Sequence, residues 1–534
     1  MQIKINNKTI NCSEGESVLE IARKNGIDIP ALCYHKDLEI KANCRLCLIE
    51  VKGKNGLLTS CSTKVEPNME IKTNSLKIEK ARVTNLELIF GQHELKCNRK
   101  AQFKSYRFGP SIEFDSSKCI DCRNCIDVCQ KQQVGFYELK KIDNIQRVVP
   151  TSDKNISCID CGQCITHCPV GAIEAVGEFE TSENPFLLKN KIIVVQIAPS
   201  IRASIGEEFG LPAGSLVTEQ LVAAIRRLGA HKVFDVSLGA DFTTIEEANE
   251  LIERIQQNKI LPLFTACCPA WVKFIKFYYP EFIPNLTTVR SPQIISGGLT
   301  KTYWADLAKV NPKDIFVVSI MPCTAKKHEA LKPELKVNGL MPVDQVLTTR
   351  ELAYLIKKKK INLAKIKGES TDNPLGVYSG AGVIYGASGG VMESALRSAY
   401  QKLCGKNLSR IDFTEVRGLA GIKKATIKIN EYTLKVAITN GMTEAKSILD
   451  ELKENPMAYD YVEFMACTGG CIGGGGQPVP VDSDTRLARA KVLYDDDRSK
   501  KIRIAGDNPM IAKIYKTFFK DKKNIHQVCH TKHN

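Results

Sequence analysis

The amino-acid sequence predicts an α+β protein of several domains, in which small cysteine-rich modules precede a large α/β domain. The chain has 534 residues, which is long enough for several domains. Closely spaced cysteines dominate the first third of the chain. From Lys191 onward, apolar-periodic segments alternate with loops, as in a large α/β domain.

The first module is predicted to span residues 1–78. Residues 1–10 alternate as a strand, 17–24 form a short helix, and 46–51 and 57–60 form further strands. Four cysteines in it have the spacing C-x10-C-x2-C-x13-C, namely Cys33, Cys44, Cys47 and Cys61. This is a variant of the plant-type 2Fe-2S ligand spacing. Zinc binding or a disulfide is the alternative use of these thiols.

The second module is predicted to span residues 113–185. Two runs share the spacing C-x2-C-x2-C-x3-C, namely Cys119, Cys122, Cys125 and Cys129, then Cys158, Cys161, Cys164 and Cys168. In bacterial two-cluster ferredoxins the fourth cysteine of each run ligates the other 4Fe-4S cluster. The predicted ligand sets are therefore Cys119, Cys122, Cys125 and Cys168, and Cys158, Cys161, Cys164 and Cys129. Zinc ribbons, the alternative, need two separated C-x2-C pairs.

Between these modules, residues 79–112 are predicted to be a linker. His93 and Cys97 resemble the start of a site in which one histidine and three cysteines hold a further 4Fe-4S cluster in related redox chains. Lys100 and Tyr106 stand where further cysteines would be needed. Since two ligands cannot hold a cube securely, we expect this cluster to be absent.

Composition and charge favour a cytoplasmic protein. No run of about 18 apolar residues predicts a membrane span, and the N-terminus enters a strand without a secretion signal. Thiols that ligate metal need reducing conditions. The formal net charge of +16 favours an acidic electron carrier as partner, the alternative being that it serves solubility alone. The run Lys357 to Lys360 lacks interleaved aromatic residues and predicts a solvated helix end rather than a nucleic-acid site.

The large domain is predicted to span residues 190–484. Its first predicted elements are strands at 192–197 and 232–236 and helices at 216–228 and 245–257. Three further short apolar strands, at 261–265, 315–320 and 462–465, each stop just before cysteines. Ligands on loops at the ends of strands in a rigid sheet are typical of a cofactor site.

The loops after these three strands carry distinctive motifs. They read FTACCPAW at 264–271, MPCTAKKHE at 321–329 and MACTGGC at 465–471, the last followed by a glycine run that ends at Gln477. Together they resemble the three signature motifs of FeFe-hydrogenases, a family that also carries 2Fe-2S and two-cluster modules in this order. The resemblance implies a β-grasp 2Fe-2S domain, a two-cluster 4Fe-4S ferredoxin-like domain and a two-lobed α/β catalytic domain. Residues 485–534 would form a small-subunit-like segment that wraps the catalytic domain.

The family's active site is the H-cluster, a 4Fe-4S cube joined through one cysteine sulfur to a diiron unit with carbon monoxide, cyanide and azadithiolate ligands. By motif position its cysteine ligands would be Cys268, Cys323, Cys467 and Cys471, with Cys471 bridging to the diiron unit. The resemblance implies a lining of Ala198, Pro199, Ser200, Pro292, Gln293, Met321 and Met465, with Lys326 as the cation for one cyanide. Without the resemblance, the two methionines would be interpreted as core residues.

The family's proton relay aligns with Cys267, Glu247, Thr287 and Glu250. Cys267 has no ligand role and suits a proton donor that faces the amine of the diiron unit, the alternative being a fifth structural cysteine. Glu247 and Glu250 are three residues apart on a predicted helix and so share a face. Without the resemblance both would be interpreted as surface charges. Thr287 replaces the usual serine but keeps a hydroxyl, and Arg254 would pair with Glu250.

The chain also departs from the family. Ala266 and Ala325 occupy positions where much of the family has serine, and Tyr385 stands where phenylalanine is common. Lost hydroxyls beside a cofactor remove hydrogen bonds, so we expect a changed cluster potential or catalytic bias.

The activity implied by the resemblance is the reversible interconversion of molecular hydrogen with protons and electrons. Electrons would be exchanged with ferredoxin or a similar acidic carrier, and maturation proteins would install the H-cluster. A hydrogen sensor is one alternative, although such relatives tend to lose the relay cysteine that is present here as Cys267. An iron-sulfur assembly protein of the hydrogenase-like type is another, but it lacks the complete motifs and normally has no 2Fe-2S module.

Overall fold

The computed structural model describes residues 1–90, 105–142, 145–177, 184–405 and 411–533. His93 and Cys97 of the predicted linker lie outside these residues. None of the described helices is both long and apolar enough to cross a membrane.

The first module is a mixed five-stranded sheet with one helix. Its elements are β1 (Gln2–Ile5), β2 (Lys8–Asn11), α1 (Val18–Lys24), β3 (Leu48–Val51), β4 (Leu58–Thr59) and β5 (Glu70–Lys72). The strand order is β2-β1-β5-β3-β4, with β1 and β5 parallel and the other pairs antiparallel. Ser17 and Glu20 form a reciprocal capping box that starts α1. This arrangement is the predicted β-grasp fold.

Residues 1–10, predicted as one strand, instead contain all of β1 and most of β2 of an antiparallel hairpin. Asn6 and Asn7 form the turn, with φ angles of 49° and 68°. Two successive positive φ angles are what a two-residue hairpin turn needs, and asparagine tolerates them better than most residues.

The second module is built from two small β units and two short helices. The elements in this part of the chain are α2 (Leu76–Phe90), β6 (Ser105–Phe108), β7 (Ile112–Asp115), α3 (Asn124–Lys131), β8 (Tyr137–Ile142), β9 (Ile145–Pro150), α4 (Gln163–Thr166) and β10 (Ile173–Ala175). Strands β10, β7 and β6 form one antiparallel sheet, and β8 and β9 form a hairpin. The predicted linker at 79–112 therefore contains most of α2 and strand β6.

The large domain contains two four-stranded sheets. Its elements are β11 (Ile192–Ile197), α5 (Thr218–Leu228), β12 (Lys232–Asp235), α6 (Val236–Gln256), β13 (Leu263–Phe264), α7 (Pro269–Tyr278), α8 (Pro292–Leu299), α9 (Ala305–Ala308), β14 (Ile315–Met321), α10 (Ala325–Ala330), β15 (Gln345–Thr348), α11 (Thr349–Lys358), α12 (Gly380–Ile384), α13 (Gly390–Cys404), β16 (Ile422–Ile429), β17 (Tyr432–Asn440), α14 (Met442–Glu454) and β18 (Tyr461–Met465).

One sheet belongs to each lobe of this domain. The first has the order β12-β11-β14-β15 and is parallel throughout. The second has the order β13-β18-β17-β16 and is parallel except for the β16–β17 pair. The central strands β11, β14 and β18 are almost wholly buried, as expected of strands covered on both faces. Loops that follow parallel strands meet at the carboxyl edge of a sheet, where ligands bind in such folds.

Helix α6 starts earlier than predicted, at Val236 rather than Ile245. Asp235 caps it, since its carboxylate accepts a 2.9 Å hydrogen bond from the Ser237 amide. The first half of the helix is buried, so it has no polar face that would reveal a helical period. A Cβ at Gly239 would lie 2.4 Å from the Pro292 carbonyl oxygen, so this glycine allows α6 to pack closely against α8.

The C-terminal segment packs along the large domain through α15 (Ser483–Ser499), α16 (Pro509–Thr517) and α17 (Lys522–Cys529). Buried ion pairs attach it. Arg489 binds Glu207 through two nitrogens at 2.5 and 2.7 Å, and Asp497 accepts from Arg397 at 2.9 Å. Because a buried charge is tolerated only when it is paired, these contacts hold the segment in one position.

Candidate active site

A buried cavity lies where the carboxyl ends of the two sheets converge. Its lining includes Cys267 and all of the predicted H-cluster ligands and pocket residues, namely Cys268, Cys323, Cys467, Cys471, Ala198, Pro199, Ser200, Pro292, Gln293, Met321, Lys326 and Met465. Residues that are up to 273 positions apart in the sequence are thus brought together.

The cavity thiols have the environment of metal ligands. Burial raises the pKa of Cys471 to about 12 and raises the pKa of Cys323 and Cys467 further. Such thiols keep their protons unless a bound cation stabilises the thiolates. Four converging thiolates are the donor set of a 4Fe-4S cube, so the residues present fit that group.

Lys326 supplies the positive charge of the cavity. Burial by itself lowers the pKa of Lys326, but the Glu329 carboxylate outweighs this effect, so the pKa lies above its ordinary value. The ammonium donates to the Cys267 carbonyl at 2.9 Å and to Glu329 Oε2 at 2.8 Å, which leaves a third N–H. Glu329 lies within a predicted motif but had no predicted role. Its signal in the sequence is the three-residue spacing from Lys326 on one helix face.

Two polar atoms in the lining have no hydrogen-bond partner among the described residues. They are the Ser200 hydroxyl oxygen and the Gln293 side-chain oxygen, and both are buried. An unpaired buried polar atom costs about 1–3 kcal/mol. These atoms therefore fit a cavity that receives a group with polar ligands of its own.

Tyr385 lines the cavity with its ring, while its hydroxyl bonds elsewhere. The hydroxyl is 2.8 Å from Thr244 Oγ1, which in turn lies 2.9 Å from Ser394 Oγ. The hydroxyl that distinguishes this residue from phenylalanine thus joins the end of α12 to α6, and Thr244 in turn joins α6 to α13.

Glu247 is the inner carboxyl of the predicted relay. It is 1 % exposed, and neither oxygen has a hydrogen-bond partner in the described part of the chain. Burial raises the pKa of Glu247 well above its ordinary value, and the charges of Glu250 and Glu463 add to this. Burial and the proximity of Glu247 also raise the pKa of Cys267. In both inner groups the buried site therefore favours the protonated, uncharged form.

Glu250, the outer carboxyl, is held by several donors. Arg254 donates to Oε1 from two nitrogens at 2.6 and 3.1 Å, and the Thr287 hydroxyl donates to Oε2 at 2.7 Å. The structure therefore brings Thr287, Glu250 and Arg254 into direct contact. Glu247 makes no direct hydrogen bond to Cys267 or Thr287 in the described part of the chain.

Sequence reasoning did not single out Thr288 or His530. The Thr288 hydroxyl and amide both donate to Glu250 Oε2 at 3.0 Å, and His530 Nδ1 lies 3.0 Å from that hydroxyl. The sequence signal for Thr288 is faint, namely that it is a second threonine directly after Thr287. His530 lies 242 positions after Thr288, and no local pattern relates it to the relay.

The predicted 2Fe-2S ligands are buried together in the first module. Cys47 Sγ and Cys61 Sγ are 3.3 Å apart, and the Cys44 amide donates to Cys33 Sγ at 3.4 Å. Cys33 and Cys44 form a small buried cluster against which Cys122 of the second module packs. The two modules are therefore adjacent at their predicted cluster sites.

The predicted crossed ligand sets are also brought together in space. One small cavity is lined by Cys119, Cys122, Cys125 and Cys168. Burial is the main cause that raises the pKa of Cys158 and Cys164, and the charge of Cys129 raises the pKa of both further. Cys129, Cys158 and Cys164 are therefore neighbours. Cys161 borders the large domain, where Cys467 Sγ lies 3.9 Å from its carbonyl oxygen.

Backbone atoms of the second module contact the large domain directly at this border. A Cβ at Gly475 would lie 2.5 Å from Gly162 Cα and 2.7 Å from the Cys161 carbonyl oxygen. Nearby, the Thr324 hydroxyl donates to the Asp160 carbonyl at 2.6 Å. The two glycines thus allow a closer approach than residues with side chains would.

Family models match four parts of the chain. Residues 191–475 match the C-terminal domain of the iron only hydrogenase large subunit, and 483–534 match the iron hydrogenase small subunit. Residues 1–75 match a 2Fe-2S iron-sulfur cluster binding domain, and 95–173 match a 4Fe-4S dicluster domain.

Characterised relatives match nearly the whole chain. The NADP-reducing hydrogenase subunit HndD of Solidesulfovibrio fructosivorans is 38% identical over 99% of this chain and 98% of its own length. Iron hydrogenase 1 of Clostridium pasteurianum is 38% identical over 99% of both chains. The solved structure of apo FeFe-hydrogenase HydA1 from Chlamydomonas reinhardtii is 37% identical, with a TM-score of 0.58 over 64% of this chain and 94% of that one.

Proposed function

The chain belongs to the iron-only hydrogenase family and carries accessory iron-sulfur domains, and we propose that it interconverts molecular hydrogen with protons and electrons. The observation that carries the proposal is one buried cavity that combines four converging cysteines, a fifth free cysteine and a lysine ammonium. When bound there, an H-cluster supplies the iron-centred two-electron chemistry of hydrogen.

In this proposal Cys268, Cys323, Cys467 and Cys471 would hold the cube, with Cys471 as the residue nearest the place of the diiron unit by motif position. The protein must hold the polar ligands of that unit by hydrogen bonds and charge rather than by covalent bonds. The remaining N–H of Lys326 and the unpartnered Ser200 and Gln293 atoms support this role. The cavity walls Pro199, Pro292, Met321 and Met465 keep water away.

The proton route in this proposal begins at Cys267, whose buried thiol holds a proton until a base approaches. Glu247 carries the proton onward, because burial raises its pKa and neither of its oxygens has a hydrogen-bond partner among the described residues. The Thr287 hydroxyl then connects Glu247 with Glu250 near the surface. During hydrogen oxidation the same groups act in the reverse direction.

Electrons are proposed to pass along the modules. Contact of Cys33 and Cys44 with Cys122 supports transfer from the 2Fe-2S cluster to the first 4Fe-4S cluster. The Cys161–Cys467 contact supports transfer from the second 4Fe-4S cluster to the H-cluster. The full complement is therefore one 2Fe-2S cluster, two 4Fe-4S clusters and one H-cluster.

The external partner is proposed to be ferredoxin or a similar acidic carrier, because the chain has a formal net charge of +16. The cytoplasm suits the many reduced thiols. One relative is named as a subunit of an NADP-reducing hydrogenase, which favours a second candidate in which electrons pass to a partner subunit. Isolated matured protein should reduce ferredoxin with hydrogen. Reduction of NADP alone, and only after partner subunits are added, would favour the second candidate.

The test of the central proposal is infrared absorption by metal-bound carbonyl and cyanide after treatment of the iron-loaded protein with hydrogenase maturation proteins. We expect these bands together with hydrogen evolution from a reduced carrier. Iron-loaded protein without maturation is the control and should show neither. The absence of these bands after maturation would contradict the proposed hydrogenase function and favour a role in iron-sulfur cluster assembly. The assembly role is the alternative because the cytosolic Fe-S cluster assembly factor narfl of Danio rerio is 28% identical over 65% of the chain.

A further inference from the structure

Glu250 has few partners that can pass a proton to solvent. Its Oε1 accepts from two nitrogens of the Arg254 guanidinium, a group that has donors but no acceptor for a proton. Its Oε2 accepts from the Thr287 hydroxyl and from the amide and hydroxyl of Thr288. Thr287 is buried whereas Thr288 is half-buried and contacts His530, so the Thr288 hydroxyl is the more outward of the two groups that can both give and receive a proton.

The Thr288 hydroxyl leads to an imidazole. His530 Nδ1 lies 3.0 Å from Thr288 Oγ1, and His530 Nε2 lies 3.0 Å from Glu246 Oε2. The other Glu246 oxygen accepts from the Tyr515 hydroxyl. Glu250, Thr288, His530 and Glu246 therefore form one continuous line of hydrogen-bonding groups.

Backbone pairing fixes the imidazole in this line. Val289 and His530 form an antiparallel bridge, and the Thr531 amide donates to the Thr288 carbonyl at 2.8 Å. The Arg290 side chain also donates to the His530 carbonyl at 2.8 Å. The His530 side chain is 21% exposed, whereas that of Glu246 is 8% exposed, so the line reaches solvent at the imidazole.

Resting on the proposed hydrogenase function, we propose that Thr288 and His530 form a proton exit from Glu250 to solvent, with Glu246 as the residue that positions the imidazole. In the outward direction, protonated Glu250 gives its proton to Thr288 Oγ1 while the Thr288 proton passes to Nδ1 of neutral His530. The products are the Glu250 carboxylate, an intact hydroxyl and an imidazolium. The imidazolium then releases its proton to water or buffer, and proton uptake follows the reverse order.

Glu246 is suited to face the imidazolium. Burial by itself raises the pKa of Glu246, but the bonds from His530 and Tyr515 outweigh it and hold the pKa below its ordinary value. The carboxylate thus stays ionised opposite the imidazole and fixes its orientation.

Other charged groups surround this line. The His526 ring centre lies 5.5 Å from that of His530, and Lys402 acts on the charge of Glu246. His533 binds the Thr287 carbonyl, and Arg290 holds the backbone of His530. Glu250 faces the imidazole through the Thr288 hydroxyl.

The competing route is direct release from Glu250. An open surface cavity is bordered by Glu250, Arg254 and Thr288, where water could exchange the proton without the imidazole. The two routes differ in what they need. Direct release needs neither the Thr288 hydroxyl nor the ring of His530.

The experiment compares matured holoenzyme variants in hydrogen oxidation with an artificial electron acceptor across pH. H530Q keeps a polar side chain without a titratable ring, and T288V keeps the shape of threonine without its hydroxyl. We expect each to lower kcat by about tenfold with an unchanged KM for hydrogen and an altered pH profile. T288S should recover most of the rate that T288V loses. H526Q is the control for the loss of a nearby imidazole, because His526 lies in α17 four residues before His530, and it should match wild type.

Chemical rescue separates proton transfer from a structural effect. Added imidazole should restore kcat in H530G and should not do so in T288V, where the ring is present but disconnected. Wild-type kcat in both H530Q and T288V would overturn the proposal in favour of direct release. A loss in H530Q without imidazole rescue and with normal T288V would also overturn it, because His530 would then be structural. Absence of carbonyl and cyanide bands in the wild-type protein would instead refute the proposed function itself.

Discussion

The proposed electron side and the proposed proton side of the cavity are built in opposite ways. On the proposed electron side, Gly162 and Gly475 bring backbone atoms of two domains into close contact. On the proton side, Glu247 lies free of hydrogen-bond partners among the described residues, and hydroxyls separate the next groups. Electron transfer is favoured by short distances between clusters, whereas proton transfer passes through groups that change hydrogen-bond partners. The close backbone contact suits the first need and the unpartnered carboxyl suits the second.

Isotope exchange between hydrogen gas and deuterated water can test this contrast. Exchange needs the cavity and the proton route but no external electron carrier. Variants of the proton side should therefore lose both exchange and carrier-linked turnover. Variants of the electron side should lose turnover only.

The largest effect is expected from Cys267→Ala. Removal of the thiol takes away the proton donor beside the cluster, and we expect exchange and turnover to fall by roughly 10²–10⁴-fold. Infrared bands of carbonyl and cyanide should remain, because Cys267 is not a proposed ligand. Retained turnover in a variant with normal bands would contradict the proton-donor assignment.

Glu247→Gln should have the next largest effect. The amide has the shape of the carboxyl but cannot carry its proton, so we expect exchange and turnover to fall by about 10²-fold. Glu253→Gln is the matched control, because Glu253 lies on the same helix but is half exposed and pairs with Lys259. Equal rates in the two variants would remove Glu247 from the relay.

Gly475→Ala should separate the two sides most clearly. Gly475 has no left-handed φ, so the nearest strain from alanine falls on the contact with Gly162 and the Cys161 carbonyl. The second module must shift, and we expect carrier-linked turnover to fall severalfold while isotope exchange stays near the wild-type rate. A parallel loss of both rates would show that this contact supports the cavity rather than electron transfer.

The smallest effect is a pH-dependent change in stability. Burial raises the pKa of Glu247 well above 4.5, so the folded protein keeps a proton that the unfolded chain releases above that pH. The free energy of unfolding therefore falls as pH rises from 4.5 towards the folded pKa. Glu247→Gln removes this loss and should stabilise the iron-loaded protein by about 1–3 kcal/mol at pH 8 and less at pH 5. Denaturant unfolding at both pH values measures the difference, and Glu253→Gln should show no such pH trend.

Sequence patterns predicted most of the cavity because its ligands follow short apolar strands. The strand Ile192–Ile197 was predicted with its observed bounds, and Cys323 and Cys467 follow β14 and β18 as expected. Residues 1–10 were mispredicted as a single strand because the Asn6–Asn7 turn lacks the glycine that usually marks a hairpin.

Contacts between distant segments could not be predicted in the same way. The buried first half of α6 has no polar face, so periodicity found only its second half. Two contacts depend on how folded domains and segments pack against each other, namely Gly162 with Gly475 and Thr288 with His530. No local propensity predicts such contacts. Prediction was therefore strongest for groups fixed by one strand and its loop.

The C-terminal segment has a consequence for assembly. Residues 483–534 match a small-subunit model, yet here they are covalently joined to the large domain that they wrap. Docking of α17 and His530 is therefore an intramolecular event, for which the effective concentration is on the order of millimolar or higher. Dilution of the protein cannot detach this segment. A chain cut just before α15 would make the same contact depend on the concentration of a second polypeptide.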